Sequence, residues 1–208
     1  MFIAFDGIDG AGKNTQIDLL AKHFEGLGKK SIILDMGGLP TFKKIIKEIN
    51  KDCSQVNSIL REVLYYFEGL YTNLEIIQKG APNDIYIIDR YYLSYLSYGP
   101  LNGVPREDVL YFTKYLVEPD FYFYIDVLPE ITYERIIKYR QIDAPEIGFK
   151  NAEKWSKGNF GKDDYISFQS KVRQNFLNEL KSKQILLDGA LDGEELHKLI
   201  VQQITINH

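Results

Sequence analysis

The residues best suited to chemistry lie near the N-terminus, in "GIDGAGKNT", Gly7 to Thr15. Gly7, Gly10 and Gly12 allow a chain to turn its backbone N–H groups inward, and Lys13 adds a full positive charge to such a turn. Where the turn opens a helix, the helix N-terminus contributes roughly half a positive charge more. Amides, dipole and ammonium together suit a polyphosphate, with the lysine aimed at the β and γ phosphates. Phosphate loops of this kind end in Lys-Ser or Lys-Thr, whose hydroxyl holds Mg2+, but here that position is Asn14. An amide oxygen can also reach a hard cation, and magnesium tolerates water and nucleotide as its remaining ligands. Two readings stay open: ATP binding with altered magnesium affinity, or a nucleotide-binding protein without turnover.

A second pair follows at Asp89-Arg90, at the end of the apolar run "IYIIDR". An acid at a strand end beside a phosphate loop can hold Mg2+ through water, and an arginine can clamp a phosphate with two hydrogen bonds. Ligands of open α/β sheets bind at the tips of parallel strands.

Positioning these groups requires strands that end at one edge. "FIAFDG" (2–7), "SIILDM" (31–36), "IYIIDR" (85–90), "FYFYIDV" (121–127) and "QILLDG" (184–189) read as five buried strands. Helical spacing is expected after Lys13, closed by Gly26 or Gly28, and from Pro40. Further helices are expected over a long pattern ending at Gly80, from Pro129, over "YISFQSKVRQNFLNELKSK" and over "GEELHKLIVQQI". Strands alternating with helices imply parallel pairing with helices on both faces. The exception is 141–163, which is polar and has no clean period. It reads as a surface loop or a lid.

The 208 residues suffice for one substantial domain, and 45 % hydrophobic with 26 % charged residues is an ordinary globular balance. A net charge of −4 argues against a dedicated nucleic-acid coat. The single cysteine, Cys53, excludes an internal disulfide. No apolar run reaches membrane-spanning length and no secretory signal opens the chain, so the cytoplasm is the expected compartment. The 15 tyrosines are expected to pack in and around the core.

With these residues in view, the chain resembles the thymidylate kinase family of nucleoside-monophosphate kinases. "FIAFDGIDGAGKNTQ" is similar to that family's opening. "DRYYLSYLSYG" resembles its Asp-Arg-Tyr-x-x-Ser segment, "PDFYFYIDVLPEITYERI" its Pro-Asp to Pro-Glu run, and "DMGGLP" stands where it has Glu-Pro-Gly-Gly-x-Pro. The resemblance implies a P-loop NTPase-type three-layer α/β fold: a central five-stranded parallel sheet, helices on both faces, and a lid. It implies one domain, with the lid at about 141–163, and a homodimer. ATP is the implied donor, with Mg2+ at Asn14 and Asp89, and a nucleoside monophosphate, foremost dTMP, the implied acceptor. ATP would be bound by Gly7, Ile8, Asp9, Gly10, Ala11, Gly12, Lys13, Asn14, Thr15 and Arg135. Lys13, Asp89, Arg90 and Arg140 would form the catalytic set, Arg140 leading the lid lysines Lys150, Lys154, Lys157 and Lys162. Asp9, Phe67, Tyr71, Arg90, Ser94 and Tyr98 would face the acceptor.

Three family features are missing. The arginine of the long helix falls at Glu68 to Tyr71, with Arg61 two turns too early; the acceptor-phosphate arginine is Ile46, among Lys43, Lys44 and Lys47; and a glutamine is replaced by Gly99. Thymidylate held by Glu68, Tyr71 and Asn73, a different nucleotide or nucleoside, and a catalytically impaired nucleotide binder therefore remain alternatives. Glu68 would suit a base that offers N–H donors.

Overall fold

The computed structural model describes residues 1–36, 38–49, 58–81, 83–148 and 157–206. Five strands, β1 (Phe2–Asp6), β2 (Ser31–Asp35), β3 (Ile85–Asp89), β4 (Phe121–Asp126) and β5 (Gln184–Asp188), form one parallel sheet in the order β2-β3-β1-β4-β5. The three central strands are buried almost throughout, whereas β2 and β5 are partly exposed at the edges. That is why β1, β3 and β4 read as unbroken apolar runs: helices cover both faces of a parallel sheet. The register sets Phe5 beside Asp89 and Asp89 beside Asp35. The loop after β1 and the acids ending β2 and β3 thus emerge at one edge.

Eight α-helices lie among the described residues: α1 (Lys13–Gly26), α2 (Pro40–Ile49), α3 (Ser58–Tyr71), α4 (Tyr92–Tyr98), α5 (Arg106–Thr113), α6 (Pro129–Ile137), α7 (Lys162–Glu179) and α8 (Gly193–Ile206). Helix α1 is closed by Gly28 rather than Gly26. Gly28 takes φ +71°, and the N–H groups of Gly28 and Lys29 donate to the carbonyls of Glu25 and Phe24.

Two differences from the sequence reading matter for the site. Helix α4 was not expected, because Tyr92 through Ser97 are all buried, and a helix buried all round shows no amphipathic period. The long pattern before Gly80 is not one regular helix: α3 ends at Tyr71 and a π-helical stretch, Thr72–Ile77, follows. Buried Asn73 anchors that stretch, donating to the Tyr91 hydroxyl and accepting from the backbone of Val117.

Candidate functional site

The phosphate loop takes the geometry its glycines allow. Gly10 has φ +78°, and a Cβ there would sit 3.0 Å from both the Thr132 carbonyl and the Ile136 side chain, so only glycine lets the loop lie this close to α6. No side chain caps the start of α1, which leaves the amides of its first turn facing the cavity. Lys13 is buried, and its Nζ donates to the carbonyls of Gly7 and Ile8 at 3.2 Å each. It lies 4.0 Å from Asp89. Burial and neighbouring Arg90 lower the lysine pKa, against the pull of Asp89, Asp9 and Asp6.

A cavity of about 630 Å3 opens over this loop. Its wall takes in Asp9, Gly10, Ala11, Gly12, Lys13, Asn14 and Thr15, together with Asp89, Arg90, Arg135 and Arg140. Gly7 and Ile8 stand outside that wall: Ile8 is a core residue, and both act through the carbonyls that hold Lys13. Arg135 is pinned by a 2.9 Å bond to the Gly189 carbonyl.

Arg90 is the described non-glycine residue with positive φ, at 67°. Backbone held in that region stores of order 1–3 kcal/mol and clusters at functional sites. The turn aims its guanidinium back across the loop, to the Gly7 carbonyl, the Ser94 hydroxyl and the Asp9 carboxylate. The same group stacks on the ring of Tyr98, whose hydroxyl donates to Asp9 at 3.3 Å. Burial would raise the Asp9 carboxyl, but Arg90 and Lys13 outweigh it and hold it below its ordinary value.

A second cavity, about 190 Å3, lies on the other side of Asp9 and Arg90. Of the residues expected to face an acceptor, Asp9, Arg90, Ser94 and Tyr98 line it. Phe67 and Tyr71 do not. They are 51 % and 50 % exposed on the outer face of α3, against Phe112 and Phe42 respectively. Glu68 is withdrawn as well, accepting the backbone N–H of Leu39, and Asn73 is held in the core by Tyr91. Arg61, Glu62 and Tyr65 line the cavity in their place, joined by Asp35, Tyr95 and Asn102. The resemblance places the acceptor groups at Phe67 and Tyr71, but α3 turns those two outward and carries Arg61, Glu62 and Tyr65 on its inner face. Arg61 is thus inside the wall, where its guanidinium donates to the Tyr65 hydroxyl at 2.9 Å.

After α6, Arg140 makes a two-point contact with Glu146, at 2.9 and 2.6 Å. Lys162 pairs with Glu134 at 2.6 Å on the surface. Lys157 is exposed, and Lys150 and Lys154 fall outside the described residues, as does Cys53.

The donor set fits a magnesium ion held mainly by water and nucleotide. Asp89 Oδ1 is buried with no hydrogen-bond partner. Beside it, burial and then the Asp89 charge raise the pKa of Asp35. Asn14 is exposed at the loop. Among the described residues no group of three or more His, Cys, Asp or Glu side chains could enclose a metal by itself.

Comparison with known proteins agrees with this arrangement. The profile of the family described as "Thymidylate kinase" matches residues 5–200. The thymidylate kinase of Chlorobium limicola is 29 % identical over 213 residues, covering 98 % of this chain and 94 % of that protein. That of Thermosipho africanus is 30 % identical, covering 91 % and 90 %. A probable thymidylate kinase of Thermococcus kodakarensis is 27 % identical, covering 98 % and 97 %. With a match along nearly its whole length, and with a phosphate loop and two adjoining cavities at the sheet edge, the chain belongs to the thymidylate kinase family, ATP-dependent and Mg2+-dependent phosphotransferases.

Proposed function

We propose that this enzyme transfers the γ-phosphoryl group of ATP to dTMP, giving ADP and dTDP. The observation that carries the reading is the shared wall: Asp9 and Arg90 line both the cavity over the phosphate loop and the cavity beside it. A donor in the first and an acceptor in the second would meet across those two side chains. Phosphoryl transfer asks for positioning and charge stabilisation rather than covalent work by the protein.

In this reading the loop amides and Lys13 grip the β and γ phosphates, and Lys13 exchanges its bonds to the Gly7 and Ile8 carbonyls for phosphate oxygens. Arg135 lies against the adenine. Arg90 turns from Asp9 to the acceptor phosphate, freeing the Asp9 carboxylate for the sugar hydroxyl. Ser94 and Tyr98 line the acceptor's path. Arg140 exchanges Glu146 for the transferring group and adds a cation to it; part of the expected lid, 149–156 of 141–163, lies outside the described residues. Asp89, with Asp35 beside it, and Asn14 in the wall of the same cavity would hold Mg2+, which would neutralise phosphate charge when bound. We further propose a single domain, action in the cytoplasm, and a homodimer. The homodimer is supported by the large apolar side chains that α3 exposes, among them Ile59, Leu60, Phe67 and Tyr71. Among the described residues no helix is long and apolar enough to cross a membrane.

The test is ADP formation with ATP, Mg2+ and each common nucleoside monophosphate. The wild type should turn over with dTMP. Lys13→Ala should lower kcat by on the order of a thousandfold, with an unfolding midpoint within a few degrees of wild type. Absence of dTMP-dependent ADP, or a Lys13→Ala enzyme with unchanged turnover, would overturn the reading.

A further inference from the structure

Gln169, on α7, is wholly buried and lines neither cavity, yet its side-chain amide reaches the site from behind. Its Nε2 donates to the backbone carbonyl of Glu146 at 3.0 Å and to Asp9 Oδ2 at 3.4 Å. Both partners only accept: one is a peptide carbonyl, the other a carboxylate that Arg90 and Lys13 keep ionised. The amide therefore has one orientation, with its NH2 toward Glu146 and Asp9. That orientation leaves Oε1 buried with no hydrogen-bond partner. A bare buried acceptor weakens a fold, and a methionine would fill similar space without that loss. Packing alone does not explain a glutamine here; its NH2 group does.

What that group holds is the side chain standing between the two cavities. Arg90 binds Asp9 Oδ1, the Tyr98 hydroxyl donates to Oδ2 at 3.3 Å, and the Tyr165 hydroxyl takes the Asp9 backbone carbonyl. In the proposed reaction Arg90 turns to the acceptor phosphate. The carboxylate then loses its charged partner at the moment it must meet the sugar hydroxyl. Tyr98 lines the acceptor's own cavity, whereas Gln169 stands behind the wall, anchored on Glu146. Phe168 and Val172, on either side of it in α7, belong to the core. The amide is thus a fixed support, and Asp9 lies 160 residues from it in the chain.

We infer that Gln169 is a positioning residue for the acceptor: its Nε2 keeps the Asp9 carboxylate in place once Arg90 leaves it, aimed at the 3′-hydroxyl of the acceptor sugar. This rests on the proposed function and adds to it a residue that touches neither nucleotide. A carboxylate without that support would swing among rotamers, and the hydrogen bond to the sugar would be paid for in lost side-chain freedom. The support therefore acts on one ligand atom, the 3′-hydroxyl, and leaves the base, the acceptor phosphate and the ATP site untouched.

The experiment measures kcat/KM for dTMP and for 3′-deoxythymidine monophosphate on wild type and Gln169→Met, with the ATP KM and the unfolding midpoint of each. Wild type should prefer dTMP by about tenfold to a hundredfold, as one hydrogen bond to a charged group allows. Gln169→Met should lose most of that preference through a higher dTMP KM, while kcat/KM for the 3′-deoxy nucleotide and the ATP KM stay within a few-fold. Because methionine also removes the bare acceptor, the midpoint should hold or rise. Gln169→Leu is the second variant should methionine disturb the packing, and the same loss of preference is expected. A merely structural role would slow both nucleotides alike, so an unchanged preference in the folded variants overturns the inference, as does loss of folding in both. A wild type active on dTMP but indifferent to the 3′-hydroxyl also overturns it and leaves the proposed function standing. A wild type inactive on dTMP refutes both.

Discussion

Asp6, the last residue of β1, shows what one buried carboxylate does beneath the site. Its oxygens accept the hydroxyls of Ser94 and Tyr122 and the backbone N–H of Tyr91. It therefore fixes the start of α4, from which Ser94 and Tyr98 line the second cavity. Complete burial pushes its pKa from 3.8 up to about 6, against those hydrogen bonds and the charges of Arg90 and Lys13. A raised carboxyl favours folding while it is protonated in both states. That contribution is whole below about pH 4 and fades as pH climbs through 6. The stability of wild type relative to Asp6→Asn should thus fall by on the order of 3 kcal/mol between pH 4 and pH 7. Urea unfolding across that range checks it, and a difference independent of pH would show that Asp6 does not titrate there. Nothing in the sequence singled out Asp6, since an acid closing an apolar strand is as often solvated as buried.

At the level of elements, the site depends on how closely α3 and α4 approach. Gly69 lies where α3 passes over α4, and a Cβ added there would overlap the hydroxyl of Tyr95. Tyr95 lines the second cavity, the proposed acceptor site, and also packs edge-on against Tyr66. Gly69→Ala should destabilise the fold by about 1–3 kcal/mol through overpacking. Because Tyr95 must shift, the acceptor KM should rise several-fold more than the ATP KM. Equal changes in both constants would place the strain elsewhere. The periodicity of α3 was legible in the sequence, but its inward face was not. Phe67 and Tyr71 have the apolar character expected of a binding face, yet they point outward. The charged residues Arg61 and Glu62 point inward, since a polar ligand site selects for groups that a core would refuse.

At the level of the whole molecule, α7 ties the parts of the site together. The Tyr165 hydroxyl donates to the Asp9 carbonyl at 2.9 Å and lies 2.8 Å from the Thr132 hydroxyl. Gln169 reaches the Glu146 carbonyl, Arg173 grips Asp126 at the end of β4, and Asn175 holds the Ser97 carbonyl. One helix thereby sets the phosphate loop, the segment at Glu146 and α4 relative to one another. Tyr165→Phe should reduce stability by about 1–3 kcal/mol and raise the ATP KM several-fold as the loop relaxes. Unchanged thermal stability and ATP affinity would show that the hydroxyl is dispensable. The sequence by itself determined the five strands, the phosphate loop and the Asp89-Arg90 pair, because each is written in local spacing: apolar runs, glycines at fixed offsets, an acid and an arginine at a strand end. Tertiary structure alone decided the strand order that puts Asp35 beside Asp89, the face of α3 that lines the acceptor cavity, and the meeting of Glu62 with Asn102 across 40 residues of chain. Those contacts join distant segments whose relative rotation is set by packing and by the π turn after α3, and no local pattern encodes that rotation.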